Sequence, residues 1–231
     1  MATKTLEAKF KALEKQVKKL QDIEDIQRLQ KSYGYYIEHW MSPELVDLFA
    51  DGPDTVLSVM GGTYIGKESV ARYINGVNAS QNPEFVHQMM LLSGIVDVGT
   101  DGKTAQGRWY AYGAVAFPMG KGVMQVVMCG IYSADYIKQG GKWKIKILRW
   151  NPLFVSPPGE GWVKKERLGA VDRNYQSRFT APDKPRDIDP RYPTGYIVPF
   201  HFKHPVTGKK TTEEKRNLSL QKKKAEKPAK R

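Results

Sequence analysis

The sequence predicts an α+β fold, and two observations support this prediction. Apolar residues recur at helical spacing over most of the first 49 residues, and β-rich segments separated by glycine-containing turns follow as far as residue 151. Helices followed by a meander of long antiparallel strands are typical of α+β domains. The chain has 231 residues, which fits one domain with extensions better than two full domains.

The predicted helices come first along the chain. Five apolar residues alternate four and three positions apart, which is a heptad seam suited to packing on the same domain or on a neighbouring subunit: Leu6, Phe10, Leu13, Val17 and Leu20. An amphipathic pattern from Ile23 to Ile37 continues the helix. Ser42-Pro43-Glu44 then predicts the start of a short helix that reaches Phe49.

The predicted strands alternate with turns. Residues 55–60 and 63–65 flank Gly61-Gly62 as a hairpin, and a short helix is predicted over residues 67–74. Four longer strands follow, over residues 85–98, 104–117, 122–137 and 142–151. The glycine-containing turn at residues 139–141 joins the last two. Together with the helices, these strands define a predicted domain over residues 1–151.

The C-terminal third has a different composition. Residues 152–208 are rich in proline, which interrupts long elements, but they contain too many aromatic residues for a free linker. We predict an ordered extension that wraps over the domain or a neighbouring subunit, or supplies one wall of a pocket. Residues 209–231 hold ten Lys or Arg and three Glu, a net +7 out of +13 for the chain. We expect a disordered, solubilising tail rather than a nucleic-acid-binding segment, because no recognition module accompanies it.

Composition and missing motifs exclude several function classes. No segment approaches the roughly 18 to 20 consecutive apolar residues of a membrane span, and the charged N-terminus is unlike a signal peptide, so we expect a cytoplasmic protein. The sequence contains no phosphate-binding loop, dinucleotide fingerprint or nucleophile elbow. Cys129, the one cysteine, is expected to be a buried apolar residue, and His201 and His204 lack an obvious third metal ligand. We therefore predict no cofactor and no metal.

A series of short motifs occurs in a characteristic order. They are Leu20-Gln21-Asp22-Ile23-Glu24-Asp25-Ile26-Gln27-Arg28-Leu29, Gly66-Lys67-Glu68, a strand with His87, Gly107-Arg108-Trp109-Tyr110, Gly130-Ile131-Tyr132 and Gly141-Lys142-Trp143-Lys144-Ile145. Over residues 13–151 this order resembles SnoaL-like proteins of the nuclear-transport-factor-two-like superfamily. The resemblance implies a cone-shaped, curved antiparallel sheet with N-terminal helices that enclose one apolar pocket. It also implies a dimer or a trimer.

The resemblance implies a range of activities rather than one. The fold is shared by dehydratases, isomerases, dehydrochlorinases, cyclases and binding proteins. The proline-rich extension resembles that of cofactor-independent lyases that remove formaldehyde from lignin-derived diarylpropanes and yield stilbenes. We therefore expect a lyase, with an isomerase as a variant, acting on a hydroxylated aromatic molecule by dehydration or deformylation. The alternative is a small-molecule binding or assembly module of the same fold without catalysis.

His87 is the candidate general base. Strand alternation places it on one face with Met89 and Leu91, and an imidazole among apolar groups stays neutral and able to accept a proton. The resemblance implies that a histidine on this strand is the base in related dehydratases and dehydrochlorinases. A hydrogen-bonded core histidine is the alternative interpretation.

The resemblance also implies an acid partner on the first long helix. That acid follows the helix tyrosine by five residues, and here Tyr33 and Glu38 occupy the two positions. Glu38 is longer than the usual Asp, so a solvated carboxylate at the helix end is an alternative. His39 and Lys31 are the other nearby candidates for a partner.

Arg149 is the candidate group for stabilising negative charge. Simple alternation in the last strand puts Arg149 on the same face as Ile145 and Ile147, opposite Lys144 and Lys146. A buried guanidinium requires an acid partner or an anionic oxygen of the substrate. We expect Arg149 and His87 to open into one apolar pocket, although a strand-end arginine reaching water fits the same pattern.

Aromatic and polar residues complete the predicted pocket. Tyr33 is proposed as a catalytic phenol, because a buried hydroxyl needs a hydrogen-bond partner and can orient a substrate. Four further residues are predicted to bind substrate: Trp40, Arg108, Tyr110 and Tyr132. Simple core packing is the alternative for each aromatic residue.

Overall fold

The N-terminal helix α1 spans Ala2–Glu38 in the computed structural model of the chain. The structure describes residues 2–78, 87–119, 122–161, 180–187, 189, 192 and 196–217. The heptad seam from Leu6 to Leu20 does not pack on the domain, since its side chains are between 45% and 68% exposed. The second half of α1 is buried instead, with Ile26 and Tyr33 in the core.

Two short helices and a hairpin follow α1. Helix α2 spans Ser42–Asp47, strands β1 and β2 span Val56–Val59 and Gly62–Ile65, and helix α3 spans Lys67–Asn78. Lys67 fixes α3 to the end of α2, because its Nζ donates to the carbonyls of Val46 and Phe49, both at 2.6 Å. The Gly66-Lys67-Glu68 motif therefore positions one helix against another.

Four long strands complete one curved, unclosed sheet. They are β3 (His87–Val98), β4 (Thr104–Met119), β5 (Gly122–Gln139) and β6 (Lys142–Ser156). The strand order is β2-β1-β6-β5-β4-β3, with β1 parallel to β6 and all other pairs antiparallel. The structure thus confirms the predicted α+β class. The first residues of the predicted third strand, 85 and 86, lie outside the described residues.

The sheet has two chemically different faces. We call the face that packs on the helices the inner face, and the opposite one the outer face. On β4, Trp109 and Ala111 are buried on the inner face, while Tyr110 and Tyr112 are 48% and 42% exposed on the outer face. Three side chains on the inner side are linked by hydrogen bonds: Trp109 Nε1 donates to Tyr136 at 3.1 Å, and the Tyr136 hydroxyl donates to Gln30 Oε1 at 2.7 Å.

A β-bulge in β6 reverses the predicted alternation. Ile145 pairs with Tyr136 and Ile147 pairs with Asp135, which leaves Lys146 as an extra residue. After the bulge Leu148 and Trp150 point into the core, where they are 0% and 4% exposed. Lys146 forms an ion pair with Asp54, so its charge remains at the surface. Residues that follow Lys146 therefore face the side opposite to the one predicted.

Strand β6 continues five residues beyond its predicted end at Asn151. Pro152 is tolerated because it lies beside a second register shift and beyond the last β1 partner, Arg149, so its missing N–H breaks no ladder on that side. Gly130 lies opposite Pro152, and a Cβ atom there would come within 2.5 Å of the Trp150 ring. The glycine lets this indole lie across the inner face.

The described parts of the extension contact the chain's own domain. Thr63 on β2 donates its N–H to the Lys184 carbonyl at 2.8 Å, and Arg72 pairs with Asp183 at 3.0 Å. Further along, residues 196–202 lie over the outer face, where Arg108 Nη1 donates to the carbonyls of residues 198 and 199. The extension therefore covers part of the outer face.

The start of the basic tail contacts the extension. Helix α4 spans Glu213–Arg216 and is capped by Thr212. Arg216 Nη1 donates to the Tyr196 hydroxyl at 2.6 Å and its guanidinium lies over that ring. Disorder of the tail over residues 209–231 stays a prediction. Residues 218–231 lie outside the described residues.

Candidate active site

His87 lies at the start of β3 on the inner face, in register with the buried residue Val115. Burial lowers the pKa of His87 to about 4, and the adjacent carbonyl of its own backbone offsets only part of this shift. The imidazole is therefore neutral at neutral pH. Its Nδ1 is buried and has no hydrogen-bond partner among the residues that the structure describes. A buried nitrogen of this kind is available to a bound molecule.

Glu38, the last residue of α1, contacts β3 two residues from His87 but has no hydrogen bond to the imidazole ring. Its Oε1 accepts the backbone N–H of Met89 at 3.0 Å, which ties the end of α1 to β3. The predicted His87–Glu38 dyad is therefore not formed. The half-buried carboxylate binds the backbone of Met89, which is two residues from His87 on β3. The Glu side chain is longer than the usual Asp, and this length lets it reach the strand backbone.

The two alternative partners of His87 are engaged elsewhere. His39 contacts the Tyr35 carbonyl through Nδ1 at 2.7 Å, and Lys31 Nζ donates to Gln27 at 3.3 Å, both at the exposed side of α1. Neither interaction faces the strand. Of the three predicted partners, Glu38 is thus the one whose side chain is shown to bond to β3.

Trp40 separates His87 from a small cavity. The two rings are 5.8 Å apart, and Trp40 also lines a cavity of about 20 Å³ between α1, α2 and α3. This volume holds about one water molecule. Trp40 has φ = 58°, a conformation that non-glycine residues rarely adopt. This strained backbone conformation fixes the position of the indole. Backbone strain of this kind is common at ligand-binding positions.

Asn78 was missed by the sequence analysis. It is the last residue of α3 and lines the same cavity as Trp40. Its Oδ1 is buried and has no hydrogen-bond partner among the described residues. The sequence alone does not show that a polar residue at a helix C-terminus lines a cavity or lacks a hydrogen-bond partner. The structure thus places an unpaired carbonyl oxygen on the cavity wall.

Tyr33 and Tyr132 form a pair of phenols in the core. Their rings are 5.7 Å apart and meet edge to face. Burial raises the pKa of both phenols well above their usual value. Trp150 packs on Tyr132 at 4.7 Å. Tyr33 lines the small cavity, so it combines the predicted pocket position with the alternative role in core packing.

Arg149 does not share a pocket with His87. The bulge at Lys146 turns Arg149 to the outer face, where its side chain is 47% exposed and pairs with Asp135 at 3.3 Å. The prediction that both groups open into one apolar hollow is therefore wrong. Arg149 instead fits the two alternatives drawn from the sequence: it pairs with an acid, Asp135, and its guanidinium reaches water.

Arg108 and Tyr110 also lie on the outer face. Arg108 is buried beneath the extension, with its guanidinium 4.7 Å from the centre of the Phe200 ring. Tyr110 is 48% exposed. The structure thus brings together Tyr33, Trp40, His87 and Tyr132 on the inner face, with Glu38 beside them. It separates these five from Arg108, Tyr110 and Arg149.

The described residues contain neither a metal-binding cluster nor a helix that could span a membrane. None of their His, Cys, Asp and Glu side chains form a group of three that could hold a metal ion. No described helix is long and apolar enough to cross a membrane.

A comparison with family models decides the classification. The model described as a SnoaL-like domain matches residues 18–149, more than half of the chain. The chain belongs to the SnoaL-like domain family. This confirms the resemblance drawn from the ordered motifs, and the match ends before the extension that covers the outer face of this SnoaL-like protein.

Solved structures of low sequence identity share the fold. A candidate scytalone dehydratase of Novosphingobium aromaticivorans is 15% identical, with a TM-score of 0.51 over 74% of this chain and 99% of that one. A hexachlorocyclohexane dehydrochlorinase of Novosphingobium barchaimii is 18% identical, with a TM-score of 0.52 over 63% and 96%. A candidate aromatic ring hydroxylase of N. aromaticivorans is 22% identical, with a TM-score of 0.51 over 60% and 94%. No curated protein matches the chain.

Proposed function

We propose that this SnoaL-like protein is a cofactor-independent lyase that acts on a small hydroxylated aromatic molecule, with His87 as the general base. The observation that carries the proposal is the neutral imidazole of His87, whose buried Nδ1 has no partner among the described residues. Family membership and fold neighbours named as a dehydratase and a dehydrochlorinase support elimination chemistry. A lignin-derived diarylpropane is the substrate class suggested by the resemblance of the extension.

The proposed chemistry requires one proton transfer to His87. In a dehydration, the imidazole accepts a proton from carbon, the C–H electron pair forms the double bond, and the hydroxyl of the adjacent carbon leaves as water after taking that proton from the imidazolium. In a deformylation, the imidazole accepts the proton of a hydroxymethyl group, the C–C bond breaks, and formaldehyde leaves. The electron pair stays on the carbon next to the ring, which then takes the proton back from the imidazolium.

The inner face offers two features for such a reaction. The Glu38 carboxylate accepts the N–H of Met89, two residues along the strand from the base, and so holds the end of α1 against that strand. Trp40, which stands between His87 and the cavity, is the side chain that an aromatic ring would displace. Arg149 has no part in this proposal, because it lies on the outer face.

The test is incubation with lignin-derived and polyketide aromatics followed by mass analysis. A loss of about 18 mass units indicates dehydration and a loss of about 30 indicates deformylation. For a converted compound, we expect His87→Gln to lower kcat/KM by at least about 100-fold, as for loss of a general base. The matched control is His39→Gln at the exposed end of α1, which should stay within about threefold. Equal activity of the two variants would remove His87 from the mechanism.

A binding module without catalysis is the second candidate. The hydrogen bond between Glu38 and the Met89 N–H favours it, because this carboxylate is then not available as the acid partner of the His87 imidazole. This alternative predicts that an aromatic compound is retained unchanged after prolonged incubation. It also predicts that His87→Gln alters ligand affinity without altering any product yield.

A further inference from the structure

We propose that the outer face carries a second ligand site, for a small aromatic carboxylate, between the sheet and the C-terminal extension. The cavity there measures about 390 Å³, within the range of small-molecule sites. Its floor includes Ser133, Asp135 and Arg149, and its wall includes Tyr196, Phe200 and His201. The wall comes from residues beyond the SnoaL-like match, so the site is a property of the domain and extension together.

The floor presents a row of donors. Ser133 on β5 is in register with Arg108 on β4 and with Arg149 on β6, so the serine lies between two guanidinium-bearing residues on one face. The Ser133 Oγ is buried and has no hydrogen-bond partner among the described residues. A hydroxyl and a guanidinium side by side can bind the two oxygens of one carboxylate.

The buried charges next to the cavity are positive. Arg108 donates to the backbone carbonyls of Val198 and Pro199, at 3.3 and 3.2 Å, and no described carboxylate forms an ion pair with it. Burial lowers its pKa. A buried guanidinium that lacks an acid partner favours an anion nearby, because charges interact strongly where water is excluded.

Arg186, next to the cavity-lining residue Asp187, adds a second guanidinium near the cavity. Its Nη2 donates to the Trp150 carbonyl, while Nε and Nη1 are buried without hydrogen-bond partners among the described residues. Burial lowers its pKa to about 10. Tyr192 lines the cavity and donates to the Asn151 carbonyl at 2.8 Å, next along β6 to the carbonyl that Arg186 binds. A second guanidinium therefore lies close to the side of the cavity that Tyr192 lines.

The acidic side chains around the cavity do not cancel this field. Asp135 is already engaged, because one oxygen accepts from Gln106 at 2.8 Å and the other contacts Arg149. Asp187 is exposed at the rim, where water screens its charge, and Asp189 has a partner of its own. The aromatic part of the ligand is recognised by the wall, where the rings of Tyr196 and Phe200 offer flat apolar surfaces.

The test is titration calorimetry of the full chain with 4-hydroxybenzoate and with 4-hydroxybenzamide, which has the same shape and no charge. We expect the acid to bind at least about tenfold more tightly than the amide, since charge-assisted hydrogen bonds are roughly twice as strong as neutral ones. Arg149→Gln should weaken acid binding by about tenfold and Ser133→Ala by about threefold or more. Arg28→Gln, on the exposed side of α1, is the matched control and should bind as the parent does.

Three results would overturn the proposal. They are absence of acid binding up to millimolar concentration, equal affinity for acid and amide, and unchanged acid affinity in both Arg149→Gln and Ser133→Ala. The His87→Gln variant separates this site from the proposed active site, because it should keep full affinity for the acid. Loss of acid binding in that variant would place the ligand on the inner face and contradict the proposal, whatever the outcome of the turnover assays.

Discussion

The two faces of the sheet differ in chemistry although they share the same strands. The inner face holds a half-buried, neutral imidazole and two buried phenols, and the described residues leave it a cavity of about 20 Å³. The outer face has a cavity of about 390 Å³ lined by Arg149 and Ser133, and Arg108 lies in register with Ser133. The outer cavity exists because the extension covers the sheet. Each face therefore has its own candidate ligand, and the sheet keeps the two sites apart.

A single extra residue assigns side chains to these faces. Arg149 and Trp150 are neighbours in β6, and the bulge at Lys146 decides that the tryptophan is buried and the arginine is half-exposed. Without the bulge the assignment would be reversed. A functional interpretation based on strand alternation depends on such local irregularities as much as on residue type.

Truncation of these two neighbours gives the largest expected contrast. Trp150→Ala removes an indole that packs on Tyr132 and should lower the free energy of unfolding by about 3–5 kcal/mol. Arg149→Ala removes a half-exposed ion pair and should cost about 1 kcal/mol or less. Denaturant unfolding of both variants measures the difference. A larger loss for Arg149→Ala would contradict the assignment of faces.

The pH dependence of stability tests the environment of His87. Its folded pKa of about 4 lies below the ordinary value of 6.5, so the unfolded chain binds the extra proton first as the pH falls. The contribution is therefore fully present above pH 6.5 and is lost as the pH falls toward 4, by up to about 3 kcal/mol. Urea unfolding of the parent and of His87→Gln at a series of pH values measures it. Parallel pH profiles for the two proteins would show that the imidazole is solvated.

Hydroxyl deletion compares hydrogen bonds on the two faces. Tyr136→Phe leaves Trp109 Nε1 and Gln30 Oε1 without their buried partner and should cost about 2 kcal/mol. Tyr192→Phe removes one hydrogen bond to the Asn151 carbonyl and should cost about 1 kcal/mol. Thermal and denaturant unfolding give both values. Equal losses would mean that the inner-face network adds nothing beyond a single hydrogen bond.

The smallest expected effect concerns the ion pair on the outer face. Asp135→Asn removes one charge of a pair whose side chains are 32% and 47% exposed. We expect a change of less than about 1 kcal/mol in the free energy of unfolding, smaller still at high salt. The same variant should strengthen binding of 4-hydroxybenzoate, because Arg149 loses its competing carboxylate. Weaker binding would show that Asp135 orients the guanidinium for the ligand.

Periodicity and turn residues predicted most of the fold but only part of the site. Helical spacing and the glycine turns located α1 and the long strands, because these signals depend on local sequence alone. His87 was placed on the inner face since no bulge precedes it. The position of Arg149 failed because nothing in the residues around Lys146 marks an inserted residue. The sequence analysis allowed an extension that supplies one wall of a pocket, but it could not place that pocket on the outer face, because its position depends on contacts such as Arg108 with Val198 that join residues 90 positions apart.

The central claim is that chemistry belongs to the inner face and that Arg149 lies outside it. The most direct measurement is kcat/KM of His87→Gln and Arg149→Gln on one converted aromatic substrate. We expect a loss of at least about 100-fold in the first variant and a change of less than about threefold in the second. Comparable losses in both variants would mean that the imidazole and the guanidinium act on the same bound molecule, and would contradict the account.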